Sequence, residues 1–470
     1  MKPFIHLFKT PKNYYFYDVN KNENVRIEHS LYQYLNNMMS GSNKIDINNE
    51  LEDKLKDLKE GGYLSDNRVK EIKHPTTDSL GLYLERQTDM LILQLTQSCN
   101  LRCSYCNYTS NNGTERVHNS ANKMSWDLAK QSIDYYIEKS VDSQQITINF
   151  YGGEPLLEFE LLKKCVDYVN QVFKGKGRNF HMTTNATLLD DEKARYLNDN
   201  NFNLVISLDG TKTINDRNRK FANGKGSVFE SVITNIENIS KYYQNLFSNL
   251  CINMVLDPSA TFENYIKVFD EFEFLKSVRV MSSIVDDSSL VNKNQVSLEF
   301  IESYDYYSFL SYLHMLGRVN LKDKFYLLSN YLMQCTEVLE GLTNSVRLGK
   351  VYAPSGPCLP GKQRLMVNAE GKMLPCERVS EIIEKNHLGN IQNGIDLERA
   401  LRILNVAKSN EDTCKNCFAF RHCSLCAKAY ECASISKDIL KESCNRCRDS
   451  FHDKLVDMEI LNEIRYDNLL

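Results

Sequence analysis

Three cysteines lie close together near residue 100 of the chain. Cys99, Cys103 and Cys106 have the spacing C-x3-C-x2-C and follow an apolar run. Thiolates bind zinc and iron–sulfur clusters, and three of them in one short loop can converge on a single metal centre. A structural zinc ion takes a fourth ligand, but the next cysteine, Cys165, falls within a predicted helix over 161–169. We therefore expect a four-iron cluster that leaves one iron open to a small molecule, with zinc as the alternative.

A second group of residues that could bind a ligand lies further along the chain. These residues are Gly152-Gly153-Glu154-Pro155, Asn185, and Ser207 with Asp209. Paired glycines allow the backbone to approach a ligand closely, and the Glu154 carboxylate can accept hydrogen bonds from an ammonium group. A glycine pair by itself more often marks a turn, and the polar residues could also cap strand ends. Their positions relative to the predicted strands favour a binding role.

The end of the chain is rich in cysteine. The nine cysteines of this segment are Cys358, Cys376, Cys414, Cys417, Cys423, Cys426, Cys432, Cys444 and Cys447. Between the first two, Ala369-Glu370-Gly371 predicts a hairpin turn that brings them together. The segment has few long apolar runs, so we expect bound metal to hold it more than a hydrophobic core. Zinc ribbons are the alternative to iron–sulfur clusters here, because two C-x2-C pairs can also bind zinc.

Apolar runs that alternate with amphipathic helices must position the first two groups. The predicted strands are 91–95, 146–151, 180–184, 204–208, 252–256 and 278–281. Consecutive βα units of this kind indicate an α/β fold with a parallel sheet. Six strands are fewer than the eight of a closed barrel, so we predict a partial (β/α)6 barrel. Functional residues of such folds lie at the carboxyl ends of the strands, where the residues of the first two groups fall.

The first 85 residues have a different pattern. Strands are predicted over 4–8, 14–19 and 24–27, helices over 30–39 and 50–60, and a small β-wing over 63–64 and 69–72. This order suggests a winged-helix-like domain, whose common partner is DNA. Residues 1–75 contain twelve Lys or Arg and eleven Asp or Glu, which gives little attraction for phosphates. We expect a peptide partner instead.

Length and composition describe an ordinary globular protein. The chain has 470 residues, 42% of them hydrophobic, and a formal net charge of -4. We predict four parts: 1–85, the barrel at 86–285, a helical connection at 286–350 and the cysteine-rich domain at 351–470. The sequence lacks a long uncharged apolar segment and a signal peptide pattern at its start. We therefore predict a cytoplasmic protein with neither nucleic acid nor membrane as a partner.

The Cys99 motif, together with the GGEP string after the second strand, resembles the radical S-adenosylmethionine (SAM) enzymes. The resemblance covers roughly residues 90–282. It implies a [4Fe-4S] cluster on Cys99, Cys103 and Cys106 whose open iron binds the amino and carboxylate groups of SAM. It also implies that an external donor, such as flavodoxin or ferredoxin, supplies an electron. SAM is then cleaved to a 5'-deoxyadenosyl radical, which removes a hydrogen atom from the substrate.

The same resemblance implies roles for individual residues. Tyr105 corresponds to the aromatic residue beside the adenine, and Gly152 to Pro155 to the segment that binds the amino group of SAM. Asn185, Ser207 and Asp209 correspond to polar contacts with the methionine and the ribose. In the stretch Asp216-Arg217-Asn218-Arg219, an arginine pairs with the SAM carboxylate, and we favour Arg219 over Arg217.

The cysteine-rich end resembles a SPASM domain, which holds two auxiliary [4Fe-4S] clusters. By resemblance, Cys414, Cys417, Cys423 and Cys444 hold the outer cluster, and Cys447 could replace Cys444. The inner cluster would take Cys358, Cys376 and Cys426, with Cys432 or an exchangeable group as the fourth ligand. The sequence departs from the usual C-x2-C-x5-C-x3-C run, because two residues separate Cys423 from Cys426 and Cys432 is additional.

The order of the domains resembles the thioether-forming maturases of cysteine-rich ribosomal peptides, of the ranthipeptide and sactipeptide type. In that family the N-terminal domain binds the leader of a precursor peptide at a sheet edge. A peptide cysteine then bonds to a carbon from which hydrogen was abstracted, and the auxiliary clusters take up the remaining electron. Three alternatives stay open: formylglycine formation in a sulfatase, epimerisation or carbon–carbon crosslinking, and a winged-helix regulator that senses iron–sulfur status.

Overall fold

A computed structural model describes most of the chain. The described residues are 2–41, 48–106, 118–173, 177–285, 295–321, 335, 337–338, 341–342, 347–431 and 437–467. The chain divides into two compact units. The first unit comprises Met1–Asp78, Tyr331–Cys358 and Leu404–Leu470, and the second comprises Ser79–Asn330 and Leu359–Ile403. The four domains inferred from the sequence stay predictions. Within the described ranges, none of the helices combines the length and the apolar character needed to span a bilayer.

The first unit begins with a three-stranded antiparallel sheet and two helices. In chain order, the elements are β1 (Ile5–Lys9), β2 (Tyr14–Asp18), β3 (Glu23–Ile27), α1 (His29–Ser40), α2 (Asn49–Glu60) and β4 (Glu71–Ile72). The predicted strands and both helices are confirmed, and α2 is followed by Gly61 as expected. The predicted wing is wrong. Leu64 has a left-handed φ of 59° and donates its backbone N–H to Asp18, while β4 pairs in parallel with Val351–Tyr352.

The second unit contains the predicted βα units. The elements are α3 (Leu80–Arg86), β5 (Met90–Thr96), α4 (Trp126–Glu138), β6 (Gln145–Gly152), α5 (Phe159–Val172), β7 (Gly177–Thr184), α6 (Asp191–Asp199), β8 (Asn203–Ser207), α7 (Lys212–Asn218), α8 (Val228–Tyr242), α9 (Gln244–Ser248), β9 (Leu250–Leu256), α10 (Glu263–Glu271), β10 (Arg279–Ile284) and α11 (Leu298–Met315). All six predicted strands are confirmed. They pair in parallel and in chain order from β5 to β10.

The rest of the chain contributes to both units. Its elements are β11 (Val351–Tyr352), β12 (Leu365–Val367), β13 (Lys372–Leu374), β14 (Gly389–Asn390), β15 (Gly394–Ile395), α12 (Leu397–Leu404), α13 (Glu411–Lys415), α14 (Ala427–Glu431) and α15 (Lys437–Asp467). The predicted hairpin turn is confirmed, since β12 and β13 pair antiparallel around Gly371 with its φ of 84°. β12 also pairs in parallel with β5, so the hairpin extends the six parallel strands into a ten-stranded mixed sheet.

The antiparallel sheet of the first unit buries both of its faces. On one face, Ile5 and Phe16 pack against apolar residues of α1 and α2. On the other face, Phe8, Tyr15 and Tyr17 belong to a larger core. The cysteine-rich segment contributes Ala407, Cys414, Ala419, Phe420, Tyr430, Leu440, Phe451, Leu455 and Met458 to that core. The cysteine-rich segment therefore shares a hydrophobic core with the N-terminal sheet, and the expectation that bound metal holds it more than such a core stays a prediction.

A buried carboxylate on α15 also joins the helix to this sheet. Glu463 Oε1 accepts hydrogen bonds from Thr10 Oγ1 at 2.7 Å, Tyr15 Oη at 2.7 Å and Asn13 Nδ2 at 2.9 Å. Burial opposes ionisation of the carboxyl, but these hydrogen bonds outweigh it and hold the pKa of Glu463 below its usual value. The ionised side chain therefore stabilises the fold.

We expect Glu463→Gln to lower the free energy of unfolding by about 1–2 kcal/mol, because a charged acceptor is replaced by a neutral one. Since the folded-state pKa is depressed, the difference from wild type should be full above a pH of about 4.5 and decline as the pH falls further. Calorimetry across this pH range measures it. Asp449→Asn, at an exposed position of the same helix, is the control. An equal loss in both variants would contradict the assignment.

Candidate functional site

The loop that carries the first three cysteines follows β5 and is held along its length by the segment after α7. Arg102 donates its backbone N–H to Lys220 at 2.8 Å, and Ser104 donates to Asn218 at 2.9 Å. In the other direction, the backbone N–H of Ala222 donates to Asn100 at 2.8 Å. These backbone bonds fix the loop without using a side chain of its cysteines.

The three thiols form no disulfide and are partly buried. Burial is the main cause that raises the pKa of Cys99 to about 12 and that of Cys103 to about 11. Each of the other two cysteines also acts electrostatically on Cys99. The amide Nδ2 of Asn185, at the carboxyl end of β7, donates to Cys99 Sγ at 3.7 Å. The predicted strand ends therefore bring Asn185 to the first cysteine of the motif.

The glycine pair after β6 lies against the chain segment that leads into Cys99. A Cβ added to Gly152, whose φ is +142°, would lie 2.2 Å from the backbone oxygen of Thr96. A Cβ on Gly153 would lie 2.1 Å from the backbone oxygen of Ser98. Both positions require glycine because another backbone passes there. The sequence did not predict this role, and close approach to a ligand stays a prediction.

Glu154 is fully buried and joins the ends of β6 and β7. Its carboxylate accepts hydrogen bonds from Thr184 Oγ1 at 2.7 Å and from the backbone N–H of Asn185 at 2.8 Å. The backbone N–H of Leu156 donates to it at 3.0 Å. Burial raises the pKa of Glu154 to about 7, although these three hydrogen bonds act in the opposite direction. A positively charged ligand group beside the carboxylate would favour its ionised form.

Tyr105, Asp209 and Arg219 form one network, in which Asp209 and Arg219 are buried and Tyr105 is partly buried. Arg219 donates from Nε and Nη2 to the two carboxylate oxygens of Asp209, at 2.8 and 3.1 Å. The Tyr105 hydroxyl donates to Asp209 Oδ2, and the guanidinium lies 5.4 Å from the Tyr105 ring centroid. Burial raises the pKa of Tyr105 well above its usual value. Three residues that were predicted separately as cofactor contacts therefore lie together.

Three further residues singled out from the sequence are Arg217, which is on α7, and Pro155 and Ser207, which lie at strand ends. Arg217, the arginine not favoured, pairs with Asp257 at 2.7 Å, and its side chain is 41% exposed, against 7% for Arg219. Pro155 is buried at the start of a short 3-10 turn. Ser207 is the last residue of β8 and is partly buried.

The donor groups of this site fit an iron–sulfur cluster. Three thiols that form no disulfide share one loop at the carboxyl end of β5, and a buried arginine pairs with Asp209 beside Cys103. Over the described residues, no three His, Cys, Asp or Glu side chains are placed to hold a single metal ion. A four-iron cluster takes one thiolate for each liganded iron, so its ligands need not meet at one point.

Five cysteines of the C-terminal segment are neighbours in the first unit. These are Cys414, Cys417, Cys423, Cys444 and Cys447, which we call the outer set. Cys423 and Cys447 are hydrogen bonded to each other. The backbone N–H of Ser424 donates to Cys447 at 3.5 Å. The outer set contains every residue predicted for the outer cluster and the predicted replacement for Cys444.

The predicted inner ligands are divided between the two units. Cys358 is exposed and Cys426 is partly buried, both in the first unit, whereas Cys376 belongs to the second unit. Cys432 lies outside the described residues. The inner cluster therefore stays a prediction. Cys165, Cys251 and Cys335, the three cysteines outside both cysteine motifs, are buried.

Two sets of polar residues near the site were not predicted from the sequence. Asn100, between Cys99 and Cys103, accepts from Asn185 at 2.9 Å and donates to Thr187 at 2.8 Å. Glu381 is buried and accepts from the side chains of Gln94, Asn368 and Gln97 at 2.9, 3.0 and 3.3 Å. The position of Asn100 inside the cysteine motif was the available signal. Nothing local marks Glu381, because its partners are distant in sequence.

We expect Arg219→Gln to lower the free energy of unfolding by about 3 kcal/mol, because it leaves the buried Asp209 carboxylate without its cation. Arg217→Gln, which removes the more exposed arginine of the neighbouring pair, should cost less than about 1 kcal/mol. Urea unfolding followed by the fluorescence of Trp126, the sole tryptophan and a residue of the same unit, measures both. Equal losses in the two variants would contradict the network.

Known proteins are similar to this chain over part or most of its length. A Cysteine-type anaerobic sulfatase-maturating enzyme of Clostridium perfringens is 25% identical over 387 residues, which are 78% of this chain and 92% of that protein. An uncharacterized protein, MJ0907, of Methanocaldococcus jannaschii is 37% identical over 142 residues. That match spans 30% of this chain and 46% of the other protein.

A solved structure shares the fold. The structure of native anSMEcpe with bound AdoMet and Cp18Cys peptide has a TM-score of 0.56 at 20% identity, and the match covers 80% of this chain and 99% of that chain. The family model of the radical SAM superfamily matches residues 93–272. This match contains the C-x3-C-x2-C loop, the glycine pair and the Asp209–Arg219 network described above. Residues 93–272 are therefore the part of the chain that is similar to the radical SAM superfamily.

Proposed function

We propose that this protein is a radical SAM maturase that installs thioether crosslinks between cysteines and acceptor carbons of a ribosomally made precursor peptide. The observation that carries the proposal is the site at the carboxyl ends of β5 to β8. There, the thiols of Cys99, Cys103 and Cys106, the buried Glu154 and the Tyr105–Asp209–Arg219 network lie on neighbouring strand ends. Two auxiliary clusters and an external electron donor, flavodoxin or ferredoxin, complete the proposal.

Each group of the site has a part in it. Cys99, Cys103 and Cys106 would hold the cluster, and the residues of the strand ends would hold SAM. When bound, the cluster and SAM supply a 5'-deoxyadenosyl radical that removes a hydrogen atom from a substrate carbon. Glu154 keeps an ionisable carboxyl beside Asn185, where it can accept from an ammonium group. Asp209 orients Arg219 and Tyr105, so the guanidinium keeps one position.

A cavity beside β3 supports binding of a peptide leader. Its volume is ≈ 610 Å³. It is lined by Asn13, Tyr14, Val25, Arg26, Ile27, Glu28, His29, Leu31, Lys54, Asp57 and Leu58. In the described part of the first unit, β3 is the last strand of the order β1–β2–β3, so its outer edge can accept another strand. An extended leader that pairs with β3 would place alternate side chains over the apolar residues of the cavity.

A second candidate is maturation of a sulfatase, in which a cysteine or serine becomes formylglycine. The similarity to the Clostridium perfringens enzyme over 78% of this chain favours it. The cavity beside β3 favours the thioether proposal, because a short sulfatase motif needs no separate leader site. The mass of the product separates a thioether from formylglycine made from cysteine. A thioether crosslink removes two hydrogens from the peptide, whereas formylglycine from cysteine also exchanges the sulfur for an oxygen.

We expect the anaerobically reconstituted protein, given SAM, a reductant and a candidate precursor peptide, to release 5'-deoxyadenosine and to remove two hydrogens for each crosslink. Liquid chromatography with mass spectrometry measures both products. Cys103→Ala should abolish them because the cluster would lose a ligand, whereas Cys165→Ala, at a buried thiol outside the motif, should keep them. Loss of sulfur with gain of oxygen would support sulfatase maturation instead. An unchanged peptide mass with 5'-deoxyadenosine release would point to epimerisation.

We expect Leu58→Glu to weaken leader binding at least tenfold, or about 1.4 kcal/mol, because it places a carboxylate in the apolar part of the cavity beside β3. Fluorescence anisotropy with a labelled synthetic leader of the candidate precursor measures the Kd. Leu82→Glu is the matched control, since Leu82 is 73% exposed on α3 of the second unit. Unchanged binding by the Leu58 variant would contradict this location of the leader.

A further inference from the structure

One helix, α15, belongs both to the outer cysteine set and to the core under the N-terminal sheet. Cys444 and Cys447 are three residues apart in its first half and therefore lie on one face of the helix. Phe451, Leu455 and Met458 continue along it and are buried with Phe8, Tyr15 and Tyr17 of the sheet. A shift of the helix at its cysteines would therefore change the side-chain packing of this core.

Aromatic contacts join two segments that carry the outer set to the sheet. These are the segment around Cys423 and the helix α15 around Cys447. The ring of His422, next to Cys423, stacks on Phe451 with centroids 4.5 Å apart. Phe451, one helical turn after Cys447, meets Tyr17 of β2 edge to face at 5.3 Å. A nitrogen of the His422 ring is 2.8 Å from Asn22 Oδ1, which also accepts from the Tyr17 hydroxyl at 2.5 Å. The segments around Cys423 and Cys447 thus contact one aromatic cluster at β2.

A polar contact reaches the strand that lines the cavity. Asn24 of β3 donates from Nδ2 to Glu459 Oε1 of α15 at 2.7 Å. The next residue, Val25, lines the cavity beside β3. Asn24 is therefore between the helix that carries two cysteines of the outer set and the edge where a leader would bind.

We propose that metal occupancy of the outer set and binding in the cavity beside β3 are coupled through α15, so that the filled outer set orders the cavity for its peptide. This inference rests on the proposed function. Ligation restrains the first half of α15 and the segment around Cys423, and metal binding of this kind contributes directly to folding free energy. By linkage, a bound peptide must in turn strengthen metal retention by the same factor. The protein would accept a leader only after its outer cluster is in place.

Hydrogen exchange of the full-length protein tests the coupling without a peptide or turnover. We expect Cys414→Ser/Cys417→Ser to make amides of β2 and β3 exchange about tenfold faster than in the reconstituted wild type, within the usual range of coupling. Amides of β7 in the second unit should not change. The control Cys99→Ser/Cys103→Ser/Cys106→Ser loses the other cluster and should leave β2 and β3 unchanged. Equal exchange in wild type and the Cys414/Cys417 variant would overturn the proposal.

A second variant keeps all the cysteines, in case the first one does not fold. Glu459→Ala removes the contact with Asn24, and we expect the difference in β3 exchange between iron-loaded and iron-stripped protein to shrink at least twofold. Asp449→Ala, at an exposed position of the same helix, should keep the full difference. If the Glu459 variant keeps the full difference in β3 exchange, the contact with Asn24 does not transmit the coupling. If the wild type binds no leader at all, the proposed function fails, whereas the exchange experiment still decides the coupling.

Discussion

The parallel pairing of β5 to β10 is the constraint on which the candidate site depends. Parallel strands in chain order place all their carboxyl ends at one edge of the sheet. The cysteine loop, the glycine pair, Asn185 and Asp209 are far apart in the sequence but follow four neighbouring strands. Because β12 occupies the other side of β5, the strand that precedes the cysteines is paired on both edges. The cysteine loop is therefore attached to an interior strand of the sheet.

Charges are buried at this edge only where hydrogen bonds compensate for the loss of water. Glu154 has three donors and Asp209 has donors from Arg219, Tyr105 and the backbone of Val255. Neither carboxylate is free to turn. Their positions are set before any ligand arrives, which lowers the cost of ordering the site when a charged ligand binds.

The first unit follows a different principle. Its three-stranded antiparallel sheet is apolar on both faces, and helices cover each of them. One cover comes from the adjacent helices α1 and α2, and the other from α15 at the far end of the chain. The start and the end of the chain thus form one core, and the outer cysteine set lies within it. Without the C-terminal segment, Tyr15 and Tyr17 would be exposed to water. We therefore expect that the N-terminal segment does not fold separately.

The sequence by itself determined the features that depend on local pattern. Apolar runs with period-two or continuous burial located all six parallel strands, and Gly371 located the hairpin turn. The C-x3-C-x2-C loop indicated its cluster chemistry because thiolate spacing is a local property. The pairing of Arg219 with Asp209 could not be inferred, since side chains ten residues apart meet only through the fold.

Only the tertiary structure decided which distant segments share a core or a pair. The predicted wing failed because β4 found its partner in β11, and a two-residue strand carries no local signal for a partner almost 280 positions away. The glycine pair packs against 96–98, and α15 covers the N-terminal sheet, for the same reason. Local propensity specifies the elements, whereas burial of apolar surface and satisfaction of buried polar groups select which elements meet.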